Sequence, residues 1–152
     1  NNINMPAPLK SGEVLRNRYQ IRRIIGQGGM GSIYLADDLR LEGRQCALKE
    51  VDHDRSLPPE MLRQAREQFL REATVLARLD HQNLPKVSDF FSVASRDYLV
   101  MDYVPGNDLR TLMLEKREKE TFILEKDVLN WAFQLADALD GSQPNPRSKP
   151  AE

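Results

Sequence analysis

The chain contains, at residues 25–34, the stretch Ile25-Gly26-Gln27-Gly28-Gly29-Met30-Gly31-Ser32-Ile33-Tyr34. Its glycines at 26, 28 and 31 have the spacing Gly-x-Gly-x-x-Gly, which is typical of loops that bind phosphate groups. Glycine tolerates positive φ and lets a ligand approach the backbone closely, so such a loop can point N–H groups at phosphate oxygens. The motif alone does not separate a nucleotide-binding hairpin from a dinucleotide-binding Rossmann unit, in which the loop leads into a helix.

The residues on either side of the glycines favour the hairpin. Ser32 to Ala36 are rich in β-formers and poor as a helix start, and Tyr19 to Ile25 also has the composition of a strand. We therefore expect the glycine loop to join two strands and to cover a nucleotide like a flap. A Rossmann-type oxidoreductase fragment is disfavoured, because it requires a helix after Gly31.

Composition and charge exclude several classes of protein. The 152 residues carry a formal net charge of -1 with 30% charged residues, which gives no electrostatic case for binding nucleic acid or an anionic membrane. A single cysteine, Cys46, excludes an internal disulfide framework and suits a reducing compartment. No apolar run approaches the roughly 18 residues that a transmembrane helix needs. We expect a cytoplasmic location.

The order of patterns along the chain predicts an α+β fold with two parts and irregular ends. Residues 1–12 have no periodicity and are predicted to be a flexible leader, and the proline-rich tail 141–152 is predicted to be disordered. Between them we predict five strands and three helices, the second helix capped by Asn107. The strands are 19–25, 32–37, 46–51, 87–91 and 98–104, and the helices are 59–79, 107–115 and 125–140.

Two charged residues occupy positions with apolar neighbours. Lys49 interrupts the short apolar strand 46–51, and Glu72 shares a helix face with Phe69 and Leu76. Each has an ordinary interpretation, since a strand lysine is usually solvated and a carboxylate at the edge of an apolar stripe can be satisfied by water. The alternative is that the two side chains pair with each other, because an unpaired buried charge is costly.

Taken together, the motifs resemble the amino-terminal half of a eukaryotic-like serine/threonine protein kinase of the bacterial type. The resemblance covers roughly residues 13–140 and rests on the glycine stretch together with Arg18-Tyr19-x-Ile21, Ala47-Leu48-Lys49, Leu84-Pro85-x-Val87 and Tyr98-Leu-Val-Met-Asp-Tyr-Val-Pro-Gly106. It implies an amino-terminal lobe, residues 13–104, with a five-stranded antiparallel sheet and the helix 59–79, which the family calls αC. It also implies that residues 105–140 are the start of a carboxy-terminal lobe, with the helices called αD and αE.

The resemblance implies ATP as the ligand and a role for each matching residue. Lys49 would hold the α- and β-phosphates and pair with Glu72, which makes these two the catalytic residues of the chain. Met101 would lie at the back of the adenine pocket, and Asp108 would reach the ribose unless its carboxylate only stabilises the helix start. The nucleotide-binding residues would be Ile25, Gly26, Gln27, Gly28, Gly29, Met30, Gly31, Ile33, Ala47, Lys49, Met101, Asp102, Val104 and Asp108.

The 152 residues contain neither His-Arg-Asp-x-x-x-x-Asn nor Asp-Phe-Gly, the segments that in the family orient the substrate hydroxyl and hold magnesium. We therefore expect no metal ligands in this chain, Mg2+ only together with those segments, and a protein serine/threonine kinase by family that is catalytically incomplete as given. The alternative is a non-catalytic kinase-like regulatory module that binds nucleotide or a partner kinase. The protein substrate or partner is not indicated by the sequence.

Neither histidine suggests a metal site. His53 lies in a polar loop, His81 matches a structural His-x-Asn turn of the family, and no cysteine or carboxylate cluster accompanies them at metal-ligand spacing.

Overall fold

The computed structural model of the chain describes residues 7–28, 31–53, 56–94 and 96–141. It has an α+β fold, as predicted, and the residues that follow Gly31 form a strand. The elements in chain order are β1 (Val14–Leu15), β2 (Tyr19–Gly28), β3 (Gly31–Asp38), β4 (Gln45–Val51), α1 (Pro59–Arg78), β5 (Val87–Val93), β6 (Arg96–Asp102), α2 (Leu109–Glu118) and α3 (Glu125–Gly141).

The strands form one antiparallel sheet in the order β1-β2-β3-β4-β6-β5. The five predicted strands are all present, and a sixth, β1, pairs Val14 with Gln20 and Leu15 with Tyr19 at one edge. We missed β1 because two residues are too few to show the alternation by which a strand is recognised. β4 lies inside the sheet, with β3 on one side and β6 on the other.

The sheet is curled so that β2 meets β5, although three strands separate them in the pairing order. The Tyr19 hydroxyl in β2 donates a hydrogen bond of 2.8 Å to Asp89 in β5, and the Tyr19 ring stacks on Phe91 with centroids 5.5 Å apart. Phe91 stacks in turn on Tyr98 at 5.4 Å. These aromatic contacts are part of the larger core cluster, whose buried members are Leu15, Tyr19, Ile21, Tyr34, Ala36, Cys46, Leu48, Phe91, Tyr98 and Val100.

A charged group is buried on this core face of the sheet. Glu50 is only 5% exposed, and its Oε2 lies 3.1 Å from Arg96 Nη1 and accepts a hydrogen bond of 3.1 Å from the Tyr98 hydroxyl. Tyr34 donates a longer bond of 3.5 Å to the same oxygen. Because a buried carboxylate without a partner is strongly destabilising, these three groups are what allow Glu50 to remain inside.

Residues Ala7 to Gly12, which lie within the leader predicted for residues 1–12, make hydrogen bonds to the folded sheet. Arg96 Nη2 donates to the Ala7 carbonyl at 2.8 Å, the Leu9 N–H donates to the Tyr34 hydroxyl at 3.1 Å, and the Gly12 N–H donates to the Ile21 carbonyl at 2.8 Å. Leu9 also packs against the core cluster. Sequence patterns do not indicate these contacts, because residues 7–12 contribute only backbone groups and one apolar side chain to them.

Helix α1 packs on the opposite face of the sheet, as predicted. It begins at a proline, where the missing N–H costs no helical hydrogen bond. Its one fully buried residue, Ala73, forms a second cluster with Val87 of β5 and Leu99 of β6, and Phe69, Phe90 and Met101 pack around it. The helix therefore rests on the end of the sheet formed by β5 and β6.

Residues 80–85 and 104–152 form a second compact unit, and residues 1–79 with 86–103 form the first. In the second unit His81 Nε2 lies 3.3 Å from Asp137 of α3, and the Asn83 side chain donates to the Gln134 carbonyl at 3.2 Å. α3 buries only Ala138, and Phe133 on the same helix is 74% exposed. The tail that we predicted to be disordered lies outside the described residues from position 142 onward.

Helix α2 is capped by Asp108, whose carboxylate accepts a hydrogen bond of 2.7 Å from the Thr111 N–H. The expectation that Asn107 caps this helix is therefore wrong by one residue. Both residue types cap helices well, and the backbone conformation, which the sequence does not fix, selects Asp108. None of the described helices is long and apolar enough to cross a membrane.

The bond between Tyr19 and Asp89 holds the curl of the sheet and can be tested by Tyr19→Phe. We expect this change to lower the free energy of unfolding by about 1 kcal/mol, because one buried hydrogen bond is lost while the ring stacking is kept. Urea denaturation measures the change. Tyr103→Phe is the matched control, because within the described residues the Tyr103 hydroxyl makes no hydrogen bond, and equal losses in both variants would contradict this role of Tyr19.

Candidate nucleotide site

The glycine hairpin is the first part of the candidate site, and it is built by the pairing of β2 with β3. Gly26 pairs with Ile33, Gln27 with Ser32 and Gly28 with Gly31, with a register shift between Ile24 and Gly26. Of the predicted nucleotide residues in this hairpin, Ile25 is half-buried, whereas Gly29 and Met30 at the turn lie outside the described residues. The register shift bends the strand just before the turn.

Gly31 is the glycine that the local geometry requires. Its φ is +130°, a conformation that other residues rarely adopt, and a Cβ at this position would lie 2.4 Å from the backbone oxygen of Glu50. The start of β3 therefore lies against the backbone of β4 at Glu50, the residue next to Lys49. At Gly28, in contrast, an added Cβ meets nothing within 4 Å.

The second part of the site is one face of the three strands β3, β4 and β6. Residues that pair directly across antiparallel strands point to the same face, so the register assigns each side chain. Lys49 pairs with Ile33 on one side and Leu99 on the other, and Ala47 pairs with Leu35 and Met101. Ile33, Ala47, Lys49 and Met101 therefore share one face, which is opposite to the core face that carries Glu50.

The part of this face formed by these four residues is apolar except for Lys49. Ala47 is buried, Ile33 and Met101 are half-buried, and the Lys49 side chain is exposed. Met101 also packs against the cluster under α1, which connects the candidate pocket to that helix. An apolar surface ending in one exposed ammonium group matches a ligand that has a flat apolar part and an anionic part.

The predicted pair between Lys49 and Glu72 is not formed in this structure. In the described part of the chain no ion pair joins the two side chains, and Glu72 is exposed and accepts a hydrogen bond of 2.7 Å from Gln68 on its own helix. The prediction placed Glu72 on the apolar stripe of α1. The stripe is there, but the helix is seated through Phe69 and Ala73, which leaves Glu72 at its solvent side.

The remaining predicted residues stand at the end of β6 or follow it in the chain. The Asp102 N–H donates to the Lys86 carbonyl at 3.0 Å, and its carboxylate accepts from the Lys86 N–H at 3.1 Å, so its backbone is held in place. Val104 and Asp108 belong to the second unit. Val104 is 67% exposed. The hydrogen bond that the Thr111 N–H donates to the Asp108 carboxylate lowers the pKa of that group.

The structure also contains a buried polar group near the site that sequence reasoning missed. We treated His53 as part of a polar loop, but its Nε2 lies 2.6 Å from Oδ2 of Asp97, which is 1% exposed. A signal was available in retrospect, since Asp97 stands at the start of an apolar strand, where a charged residue needs a partner.

Comparisons with known proteins agree with this geometry. The protein kinase domain model matches residues 19–141. The chain is 33% identical over 134 residues to serine/threonine-protein kinase PrkC of Bacillus subtilis (strain 168), a match that covers 88% of this chain and 19% of PrkC. It is 39% identical over 108 residues to serine/threonine-protein kinase PknD of Chlamydia pneumoniae, covering 71% of this chain and 11% of PknD.

A solved structure extends the likeness to the fold. The crystal structure of the Mycobacterium tuberculosis PknI kinase domain superimposes with a TM-score of 0.69 at 29% identity, covering 90% of this chain and 52% of that one. The chain thus spans about half of a solved kinase domain and about a fifth or less of the two kinases named above.

The close approach of Gly31 to the Glu50 backbone predicts a large difference between two glycine substitutions. Gly31→Ala should lower the free energy of unfolding by about 1–3 kcal/mol, because the new Cβ meets a backbone oxygen and the positive φ becomes strained. Gly28→Ala should change it by less than about 0.5 kcal/mol, because the site is open. Urea denaturation of both variants measures this, and equal midpoints would contradict the close approach.

Proposed function

We propose that this chain, which belongs to the protein kinase family, is the ATP-binding part of a bacterial-type serine/threonine protein kinase. The observation that carries the proposal is the shared face of Ile33, Ala47, Lys49 and Met101, beside a glycine hairpin whose Gly31 lies against the backbone of β4. This combination supplies an apolar surface for a purine, one cation for phosphate and backbone N–H groups for the remaining phosphate oxygens.

In this proposal the adenine base lies on the shared face. Ile33 and Ala47 contact the surface of the base that faces the sheet, and Met101 closes the back of the pocket. The carbonyl of Asp102 and main-chain groups of Val104 bind the edge of the base, because the Asp102 N–H is already engaged with Lys86. Asp108 reaches the ribose with the carboxylate oxygen that does not cap Thr111.

The phosphates lie under the glycine hairpin. Residues 25–31, which include Gly29 and Met30 outside the described range, present backbone N–H groups to the β- and γ-phosphates. Lys49 holds the α- and β-phosphates, since a lysine ammonium is a compact point charge with three donors. Gly26 and Gly28 allow close approach of the phosphates, and Gly31 is required by the packing on Glu50.

Pairing of Glu72 with Lys49 is proposed to accompany nucleotide binding. In the structure Glu72 is held only by an exposed hydrogen bond from Gln68, which water can replace at little cost. Lys49 is likewise exposed. Neither exposed side chain has to leave a buried contact, and we propose that a movement of α1 brings the two together.

The chain as given is proposed to bind ATP without transferring phosphate. Phosphoryl transfer requires magnesium and a group that orients the acceptor hydroxyl, and the 152 residues contain neither the His-Arg-Asp nor the Asp-Phe-Gly sequence. We propose that Mg2+ binds only together with those segments, and that the acceptor is a serine or threonine of a protein. ATP is a cytosolic metabolite, so we propose a cytoplasmic location for this part of the kinase.

We propose residues 13–104 as the amino-terminal lobe and 105–140 as the start of the carboxy-terminal lobe. The exposed apolar side chains of the second unit support this division. Phe122, Phe133 and Leu139 are 89%, 74% and 71% exposed, which is unusual for large apolar residues. We propose that they pack against the remaining half of a kinase domain, the half that this chain does not span.

Lys49→Met tests the assignment of the phosphate site. The variant should bind ATP about tenfold or more weakly, because charge-assisted hydrogen bonds to phosphate are lost. Titration calorimetry measures the two affinities. Lys10→Met is the matched control, because Lys10 is an exposed lysine of the same unit, and its affinity should equal that of the unchanged chain.

Equal ATP binding by the Lys49→Met variant and the unchanged chain would remove Lys49 from the site. Incubation with γ-labelled ATP, magnesium and a generic protein substrate tests the second claim. Label transfer that depends on Lys49 would contradict the proposal that this chain is catalytically incomplete.

A further inference from the structure

Three polar side chains form a partly buried hydrogen-bonded group at one end of β4, β5 and β6, in which Asp97 is the buried member. Asp97 accepts a hydrogen bond from the Ser92 hydroxyl on one oxygen, and its other oxygen lies 2.6 Å from Nε2 of His53. The strand register explains why these three side chains are close together. Asp97 pairs with Val51 of β4 and with Ser92 of β5, and His53 follows Val51 by two residues. A carboxylate oxygen accepts hydrogen bonds, so this contact uses the tautomer in which Nε2 of His53 is the donor.

The ring of His53 makes a second contact, with helix α1. It meets Phe69 edge-on, with centroids 6.2 Å apart and planes at 79°. Phe69 in turn packs against the cluster of Ala73, Val87 and Leu99. His53 therefore connects a fixed point in the sheet, Asp97, to the residue that seats α1.

Phe69 stands three residues before Glu72, which is slightly less than one turn of helix. The rotation of α1 that places Phe69 against its neighbours therefore also decides the direction in which Glu72 points. A purely apolar residue at position 53 could fill the same space beside Phe69. The hydrogen bond to Asp97 has a further effect that an apolar residue lacks, since it fixes the orientation of the His53 ring.

We propose that His53 is a positioning residue for the nucleotide site, which holds α1 through Phe69 in the seating that keeps Glu72 away from Lys49. The proposal rests on the proposed function, since the position of Glu72 matters for binding only if Lys49 holds phosphate. Loss of the bond to Asp97 leaves α1 freer to rotate, so Glu72 reaches Lys49 at a smaller cost in free energy.

The first experiment measures amide hydrogen exchange in α1, residues 62–73, by mass spectrometry without nucleotide. His53→Leu keeps an apolar side chain but removes the donor, so exchange should become roughly tenfold faster. His53→Gln keeps an N–H that reaches Asp97, so exchange should stay within about threefold of the unchanged chain. His81→Leu removes the other histidine–aspartate pair, His81 with Asp137, and should leave these amides unchanged.

Unaltered exchange in His53→Leu overturns the proposal. So does an equal acceleration in all three variants, because it would indicate general destabilisation and not a link between His53 and α1.

The second experiment is a double-mutant cycle on ATP affinity, measured by calorimetry. His53→Leu should strengthen binding by about threefold in the unchanged chain, because α1 moves more easily, and should have no effect in the Glu72→Gln background, because it acts through Glu72. Weaker binding by His53→Leu would overturn the proposal. An effect of equal size in both backgrounds overturns the proposal. If the unchanged chain binds no ATP, the proposed function fails and the link to Lys49 with it, whereas the exchange experiment still decides whether His53 holds α1.

Discussion

The buried carboxylate of Glu50 is the constraint on which the nucleotide site depends. It is satisfied only on the core face of the sheet, where Arg96 and Tyr98 reach it, each at 3.1 Å. Because side chains alternate along a strand, fixing Glu50 on the core face puts its neighbour Lys49 on the other face. A shift of β4 by one residue would expose Glu50 and bury Lys49, at a cost of several kcal/mol for each uncompensated charge. β4 therefore places Glu50 in the core and its neighbour Lys49 on the face that we propose binds the nucleotide.

The strength of the contacts differs across the first unit, and this difference suits its proposed function. On the core face, stacked aromatic rings and the bond between Tyr19 and Asp89 hold the curled sheet together. Burial and the nearby charge of Glu50 raise the pKa of the Tyr98 hydroxyl, so it remains a donor to Glu50 at physiological pH. In contrast, Lys49 of β4 and Glu72 of α1 are exposed. The sheet is therefore held rigidly, whereas these two charged side chains can rearrange easily.

The sequence was sufficient for the fold class and the hairpin, because glycine spacing and strand composition are local signals. It was insufficient where neighbours come from distant parts of the chain. β1 and the hydrogen bonds of Ala7 and Leu9 depend on backbone groups. Because every residue type carries these groups, the sequence does not indicate such contacts. The pair between Lys49 and Glu72 was expected from opposite charges, but the packing of Phe69 and Ala73 decides how α1 sits. His53 was set aside because its partner Asp97 lies 44 residues away.

The central claim is that ATP binds on the face of β3, β4 and β6 opposite the core, and methyl-detected NMR during an ATP titration tests it most directly. The neighbouring strand positions supply reporters for both faces. We predict shifts of the Ile33, Ala47 and Met101 methyl signals, with little change in those of the core-face residues Leu48 and Val100. Shifts confined to Leu48 and Val100, or the absence of any shift at saturating ATP, would contradict the account.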